Sequence, residues 1–141
     1  MTSPAGLREK QAAQIARYLI IEDPQERLAA IVARGRKWPA PAEEERTEWH
    51  LVKGCMSRVY LAGRLEEGRC RYRMSADSPL VQGLAALLCE LYDDAPPAEI
   101  VEVEPELIEE LGFIFQISPT RYHGLENVRR VIREFAAQQL G

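Results

Sequence analysis

The chain has 141 residues, about one domain's worth, with 18 Lys and Arg against 22 Asp and Glu and a net charge of -4. Apolar residues make up 46% and charged residues 28%, ordinary globular values that exclude a disordered or fibrous chain. The mild acidity speaks against a dedicated nucleic-acid-binding domain, whose balance is basic.

The first third reads as two helices. Ser3-Pro4 suits an N-cap and first helical position, and Ile15, Tyr18 and Leu19 form an apolar stripe behind it. Asp23, Pro24 and Glu26 make a sharper start for the second helix, as N-cap, first position and capping box. Leu28, Ile31 and Val32 follow at helical spacing, and Gly35 suits the stop. Trp38-Pro39-Ala40-Pro41 cannot continue a helix, and Glu43 to Glu48 reads as a solvated connector. The period then changes. Trp49 to Val52 is a short strand, and Arg58 to Leu65 a second with Val59, Leu61 and Leu65 on one face. Glu66-Glu67-Gly68 is a turn, and Arg69 to Ala76 alternates, with Cys70, Tyr72, Met74 and Ala76 opposite three arginines.

Helix returns at Ser78-Pro79, another N-cap pair, with Leu80, Leu84, Leu87, Leu88 and Leu91 as its stripe. Pro96-Pro97 breaks the chain, Pro105 to Leu111 forms a short helix ended by Gly112, and Ser118 to Arg121 is a loop. The terminal helix carries Leu125, Val128, Ile132 and Phe135 on one face and Arg129, Arg130 and Arg133 near the other. The expectation is an α+β domain over residues 1–141: helices packed on one side of a small, three-stranded antiparallel sheet.

The start, MTSPAGLREKQAAQ, shows no secretory signal, and no run reaches the roughly 18 apolar residues of a membrane span. Three cysteines without a CxxC pair fit the cytoplasm, and with only His50 and His123 to help them a closed zinc site is not expected. Cys70 and Cys89 fall on apolar faces and read as small core residues. Cys55 differs. It lies in Lys53-Gly54-Cys55-Met56-Ser57-Arg58, a loop between two strand candidates, where Gly54 allows a turn that a side chain would block. Lys53 and Arg58 are expected to supply positive charge and Ser57 a hydrogen bond, both favouring the thiolate. On residues alone, a nucleophile and a turn cysteine without a task are equally admissible.

The stretch Val52 to Tyr60 resembles the GCxSxVW signature of the SufE cysteine-desulfuration proteins. Ala76-Asp77-Ser78 with Val81 to Leu84 resembles their (G/A)DS…IVxGL segment, Pro97 to Ile100 their PxEI turn, and Ile117 to Arg121 with Gly124-Leu125 their LSPSRxxGL motif. Four motifs in order cover nearly the whole chain. The chain departs from the family pattern at His50, Tyr60, Pro79 and Gln116. The resemblance implies an α+β fold with SufE/NifU-like architecture. It also implies a sulfur acceptor that is not itself an enzyme. Cys55 would take persulfide sulfur from a pyridoxal-phosphate cysteine desulfurase, SufS-like or CsdA-like. The protein would stimulate that enzyme and pass the sulfur to a downstream iron–sulfur scaffold. Gly54 and Ser57 would support the loop and Arg121 would face the partner or the loop. The chain itself would carry no cofactor, since the pyridoxal phosphate is the desulfurase's, and no metal.

Three rivals remain open. A metal or Fe–S scaffold of related fold would need more ligands than Cys55 and His50. A cysteine hydrolase would need His50 or His123 against Cys55 and an oxyanion site. An interaction module would use Arg69, Arg71 and Arg73, with Arg58 and Arg64, against an acidic partner.

Overall fold

The computed structural model describes residues 4–141, so the expected Ser3 cap lies outside the described residues. Helix α1 (Pro4–Leu19) leads through a short corner into α2 (Pro24–Gly35). Asp23 caps α2 by accepting from the Gln25 N–H at 3.3 Å, and Pro24 follows at the first helical position; Glu26 stays exposed and makes no return bond. The corner is tied from within by Arg27. Its guanidinium donates to the carbonyls of Tyr18, Ile21 and Leu111, the last at 2.7 Å. A charge buried this way is stabilised because each lost water is replaced by a carbonyl.

The sheet is a two-stranded antiparallel hairpin, not the three strands expected: β1 (Val59–Glu66) and β2 (Arg69–Ala76). Glu67 and Gly68, both with positive φ, make its two-residue turn. The expected strand at Trp49–Val52 is instead a 3-10 turn over Glu48–His50 that leaves Trp49 94% exposed. Only its tail pairs with β1, through a Leu51–Tyr60 bridge and the Val52 N–H on the Val59 carbonyl at 2.8 Å. The chain then turns away into the Cys55 loop, so pairing stops after two residues.

The outer edge of β2 needs no third strand, because each of its outward N–H groups already has an acceptor. Cys70 donates to the Ala95 carbonyl and Met74 to the Pro39 carbonyl. Tyr72 donates to the Asp93 carboxylate and Ala76 to the Gln82 side chain, both at 2.7 Å. Loop carbonyls and two side chains thus do the pairing that a strand would do. Leu65 shares the Leu61 face by register, yet it is 48% exposed at the turn end of the hairpin, against the sequence expectation.

Helix α3 (Pro79–Tyr92) is the centre of the molecule, packed on α2 and β2, and ten of its residues are buried. Ser78 caps it by accepting from the Val81 N–H, a contribution of about 1 kcal/mol for such caps. Where α2 crosses α3 the backbones touch: a Cβ on Gly35 would stand 2.5 Å from the Gly83 Cα. Pro96-Pro97 does more than break the chain. Pro97 opens α4 (Pro97–Glu102), too short for periodicity to reveal. The expected helix at Pro105–Leu111 is the single turn α5 (Leu107–Glu110), with Leu107, Ile108 and Leu111 buried.

Helix α6 (Pro119–Leu140) begins earlier than expected. Ser118-Pro119 is not loop but an N-cap and first position like Ser78-Pro79, and Ser118 Oγ accepts from the Arg121 N–H at 3.2 Å. Leu125, Val128 and Ile132 face the core, and Phe135 meets Tyr72 edge-on with ring centroids 5.8 Å apart. Arg129 is not on the polar face. It is 7% exposed, lies 4.4 Å over the Tyr92 ring, and donates to the carbonyls of Ile100 and Val103 at the end of α4. Cys70 and Cys89 are buried in the core as their patterns predict, and no described helix is long and apolar enough to cross a membrane.

Candidate functional site

Residues 53–58 leave the fold as a loop whose neck is the Val52–Val59 backbone bond. Its far end is clamped by Asp77. The Asp77 carboxylate accepts from the Arg58 N–H at 3.0 Å, and the Asp77 N–H donates to the Arg58 carbonyl at 3.2 Å. Its near end turns at Gly54, whose φ of +84° favours glycine over a residue with a side chain. That turn lays Cys55 against α6, and the Cys55 thiol donates to the Gly124 carbonyl at 3.2 Å. Gly124 is buried there because the thiol occupies the space above it. A Cβ at that position would stand 3.4 Å from Cys55 Sγ.

Three residues along α6, on the same face, the Asn127 amide donates to the Gly54 carbonyl at 3.2 Å. Arg130 Nε in turn reaches Asn127 Oδ1 at 3.4 Å, and its guanidinium pairs with Glu134 at 3.0 Å. Beside the loop opens a cleft of about 400 Å³. It is lined by Cys55, Ser57 and Asp77 and, at the start of α6, by Ser118, Thr120 and Arg121. The structure therefore brings Cys55, Ser57 and Arg121 to one cleft, with Gly54 as the loop's turn.

The electrostatics differ from the sequence expectation. Burial pushes the Cys55 thiol above its ordinary pKa, and the cation that opposes this is Arg130, not Lys53 or Arg58. Ser57 makes no hydrogen bond to the sulfur among the described residues. Donation to the Gly124 carbonyl itself requires the proton. Tucked against α6, Cys55 is thus a sheltered thiol, and hydration or added positive charge would favour its thiolate. Arg121 is exposed, and its guanidinium makes no hydrogen bond or ion pair among the described residues, so it is available at the cleft's edge. Met56, next to Cys55, is 87% exposed, and Phe115, just ahead of α6, is 97% exposed.

The histidines are elsewhere. His50 lies 3.4 Å from Thr47 Oγ1, and His123 pairs with Glu126 at 3.6 Å. Neither hydrogen-bonds Cys55, so the dyad a cysteine hydrolase needs is not assembled. Among the described residues no group of three or more His, Cys, Asp and Glu is placed to hold a metal. Two of the three arginines of β2 are met by acids just past α3: Arg69 by Asp94 at 3.0 Å and Arg71 by Asp93 at 3.2 Å. That pairing weakens the basic surface an interaction module would use. Asn127, Arg130 and Asp77 were not legible as site residues. The signal for Asn127 was its i+3 spacing from Gly124, which matters only once Gly124 is known to face the loop.

A hypothetical protein from Thermus thermophilus, whose solution structure is known, superposes with a TM-score of 0.75 over 99% of this chain and 98% of its own; at 21% identity it speaks for the fold alone. An uncharacterized SufE-like protein of Synechocystis is 34% identical over 97% of this chain and 87% of its own length. An uncharacterized SufE-like protein of Rhizobium etli is 29% identical over 84% of each. Part of the chloroplastic quinolinate synthase of rice is also similar, 32% identical over 77% of this chain but 15% of the enzyme. Residues 12–136 match the family described as SufE, the Fe–S metabolism associated domain, and the chain belongs to that family.

Proposed function

We propose that this protein is a sulfur carrier that accepts the terminal sulfur of a persulfide held by a pyridoxal-phosphate cysteine desulfurase. One observation carries this reading: a single loop cysteine, its loop clamped at the far end and laid against α6 at the near one, lies sheltered beside a cleft edged by an arginine without a partner among the described residues. A core cysteine would not be on a loop, and a permanently exposed one would lose its sulfur to solvent reductants.

The step balances without an external oxidant. The Cys55 thiolate attacks the outer sulfur of the partner's Cys–S–SH. The new S–S bond forms on Cys55, the old one breaks, and the partner's cysteine leaves as its thiolate. Leaving α6 hydrates Cys55, which removes the burial that raises its pKa and prepares the nucleophile. Returning to α6 shelters the persulfide until an iron–sulfur scaffold takes it. Arg121 serves as the partner contact, through a bidentate pair with a carboxylate. In this reading residues 1–141 act as one cytoplasmic unit that stimulates the desulfurase without itself turning over substrate.

The test is desulfurase turnover, read as alanine formed from L-cysteine, with and without this protein. Wild type accelerates turnover and Cys55→Ser does not. Equal acceleration by both proteins would move the role from sulfur acceptance to a pure interaction.

A further inference from the structure

The hold on the cysteine end of the loop is slight. Lys53, Gly54 and Met56 are exposed, so no apolar anchor fixes this end besides Cys55 itself. Among the described residues two hydrogen bonds remain: the Cys55 thiol on the Gly124 carbonyl, and the Asn127 amide on the Gly54 carbonyl, each 3.2 Å. The first disappears whenever the thiol loses its proton. The second does not depend on the state of the sulfur.

Gly54 and Asn127 also fit one another. A Cβ at Gly54 would fall 2.3 Å from Asn127 Nδ2, so the amide occupies the room that a side chain would take. Positive φ at Gly54 aims its carbonyl at α6. The amide is oriented from behind: Arg130 needs an acceptor and meets Oδ1, which turns the NH₂ toward the loop, and Glu134 steadies Arg130.

We propose that Asn127 is the positioning residue of the Cys55 loop, a latch on the Gly54 carbonyl that sets how much of the time Cys55 is sheltered against α6 instead of extended. A neutral hydrogen bond is the right strength for this task. Its loss shifts a two-state loop about two- to tenfold, enough to shelter a persulfide without trapping it. The latch itself stands on geometry. Its role in sulfur transfer rests on the function proposed above.

The experiment alkylates the full-length protein with iodoacetamide across pH and compares the limiting, thiolate rate at Cys55. No desulfurase is needed, so a wild-type protein that fails to take up sulfur would sink the functional reading and leave this measurement intact. Asn127→Leu keeps the shape and loses the donor. It raises the limiting rate about two- to tenfold and speeds amide exchange over residues 53–58, while Asn127→Gln, which keeps a carboxamide donor, stays nearer wild type. Buried Cys70 and Cys89 monitor the fold. Equal rates in wild type and Asn127→Leu overturn the proposal. So does Asn127→Gln matching Asn127→Leu, or labelling of Cys70 or Cys89 in the variant, since either places the effect in general packing.

Discussion

The Cys55 thiol and the Gly124 carbonyl meet at 3.2 Å, and Gly124 leaves the sulfur 3.4 Å from where its own Cβ would stand. A methyl group at that distance is in ordinary van der Waals contact, whereas a branched side chain would enter the sulfur's space. Gly124→Ala therefore keeps Cys55 sheltered and, by helix propensity, stabilises α6 by up to about 1 kcal/mol. Gly124→Val displaces the loop and exposes the thiol. Thermal denaturation and Cys55 alkylation of the two variants check both halves.

The sulfur's proton gives a pH prediction. Burial raises the Cys55 pKa and Arg130 opposes it, so the alkylation midpoint lies above that of a free cysteine. Arg130→Gln moves it further up. If the midpoint falls with that substitution, Arg130 is not the cation the sulfur feels.

Stability follows the same sign. Burial also raises Cys70, and Cys89 more strongly. A group whose folded pKa is raised binds its proton more tightly when folded. Its contribution is complete below the unfolded cysteine value of about 8.5 and is lost as pH rises through the folded value, at up to about 1.4 kcal/mol per pH unit for each group. Denaturant midpoints fall above that pH, and Cys89→Ala flattens the decline most. A flat midpoint in wild type from neutral to alkaline pH would contradict this.

Glu99 is another buried group with a definite sign. One of its oxygens accepts from the Leu7 N–H at 3.1 Å near the start of α1, and burial raises its pKa. Glu99→Gln keeps an acceptor there and removes the charge, so stability at pH 7 is held or raised. Glu99→Ala orphans the Leu7 N–H and costs about 1–3 kcal/mol. Urea denaturation of both variants decides it, and equal losses would show that the acceptor does not matter.

Arg121 separates function from fold. Its guanidinium has no partner among the described residues, so Arg121→Ala leaves the melting temperature within about a degree, as expected for an exposed side chain. It slows sulfur acceptance on the order of tenfold, the value of one charged contact at an interface. Unchanged acceptance would remove Arg121 from the partner surface.

Helix starts were the most legible part of the fold, because Asp23-Pro24 and Ser78-Pro79 announce themselves chemically. Ser118-Pro119 carries the same signal, although in sequence Ser118 to Arg121 reads as a loop. The alternation of β2 showed its buried face, but nothing local told that Pro39, Asp93 and Ala95 would close its outer edge in place of a strand. Arg27 and Arg129 look like surface arginines until carbonyls 84 and 29 residues away are seen to receive them. The Cys55 loop stood out through Gly54 and the motif around it. Its cation did not, because Arg130 comes from α6, 75 residues further along the sequence.

The most direct measurement maps sulfur by mass. The reduced protein is incubated with L-cysteine and a pyridoxal-phosphate cysteine desulfurase, then analysed intact and as peptides. One added sulfur atom is expected on the peptide carrying Cys55, absent in Cys55→Ser. With the desulfurase turning over and the Cys55 thiol intact, an unmodified peptide or a sulfur mapped to Cys70 or Cys89 would contradict it.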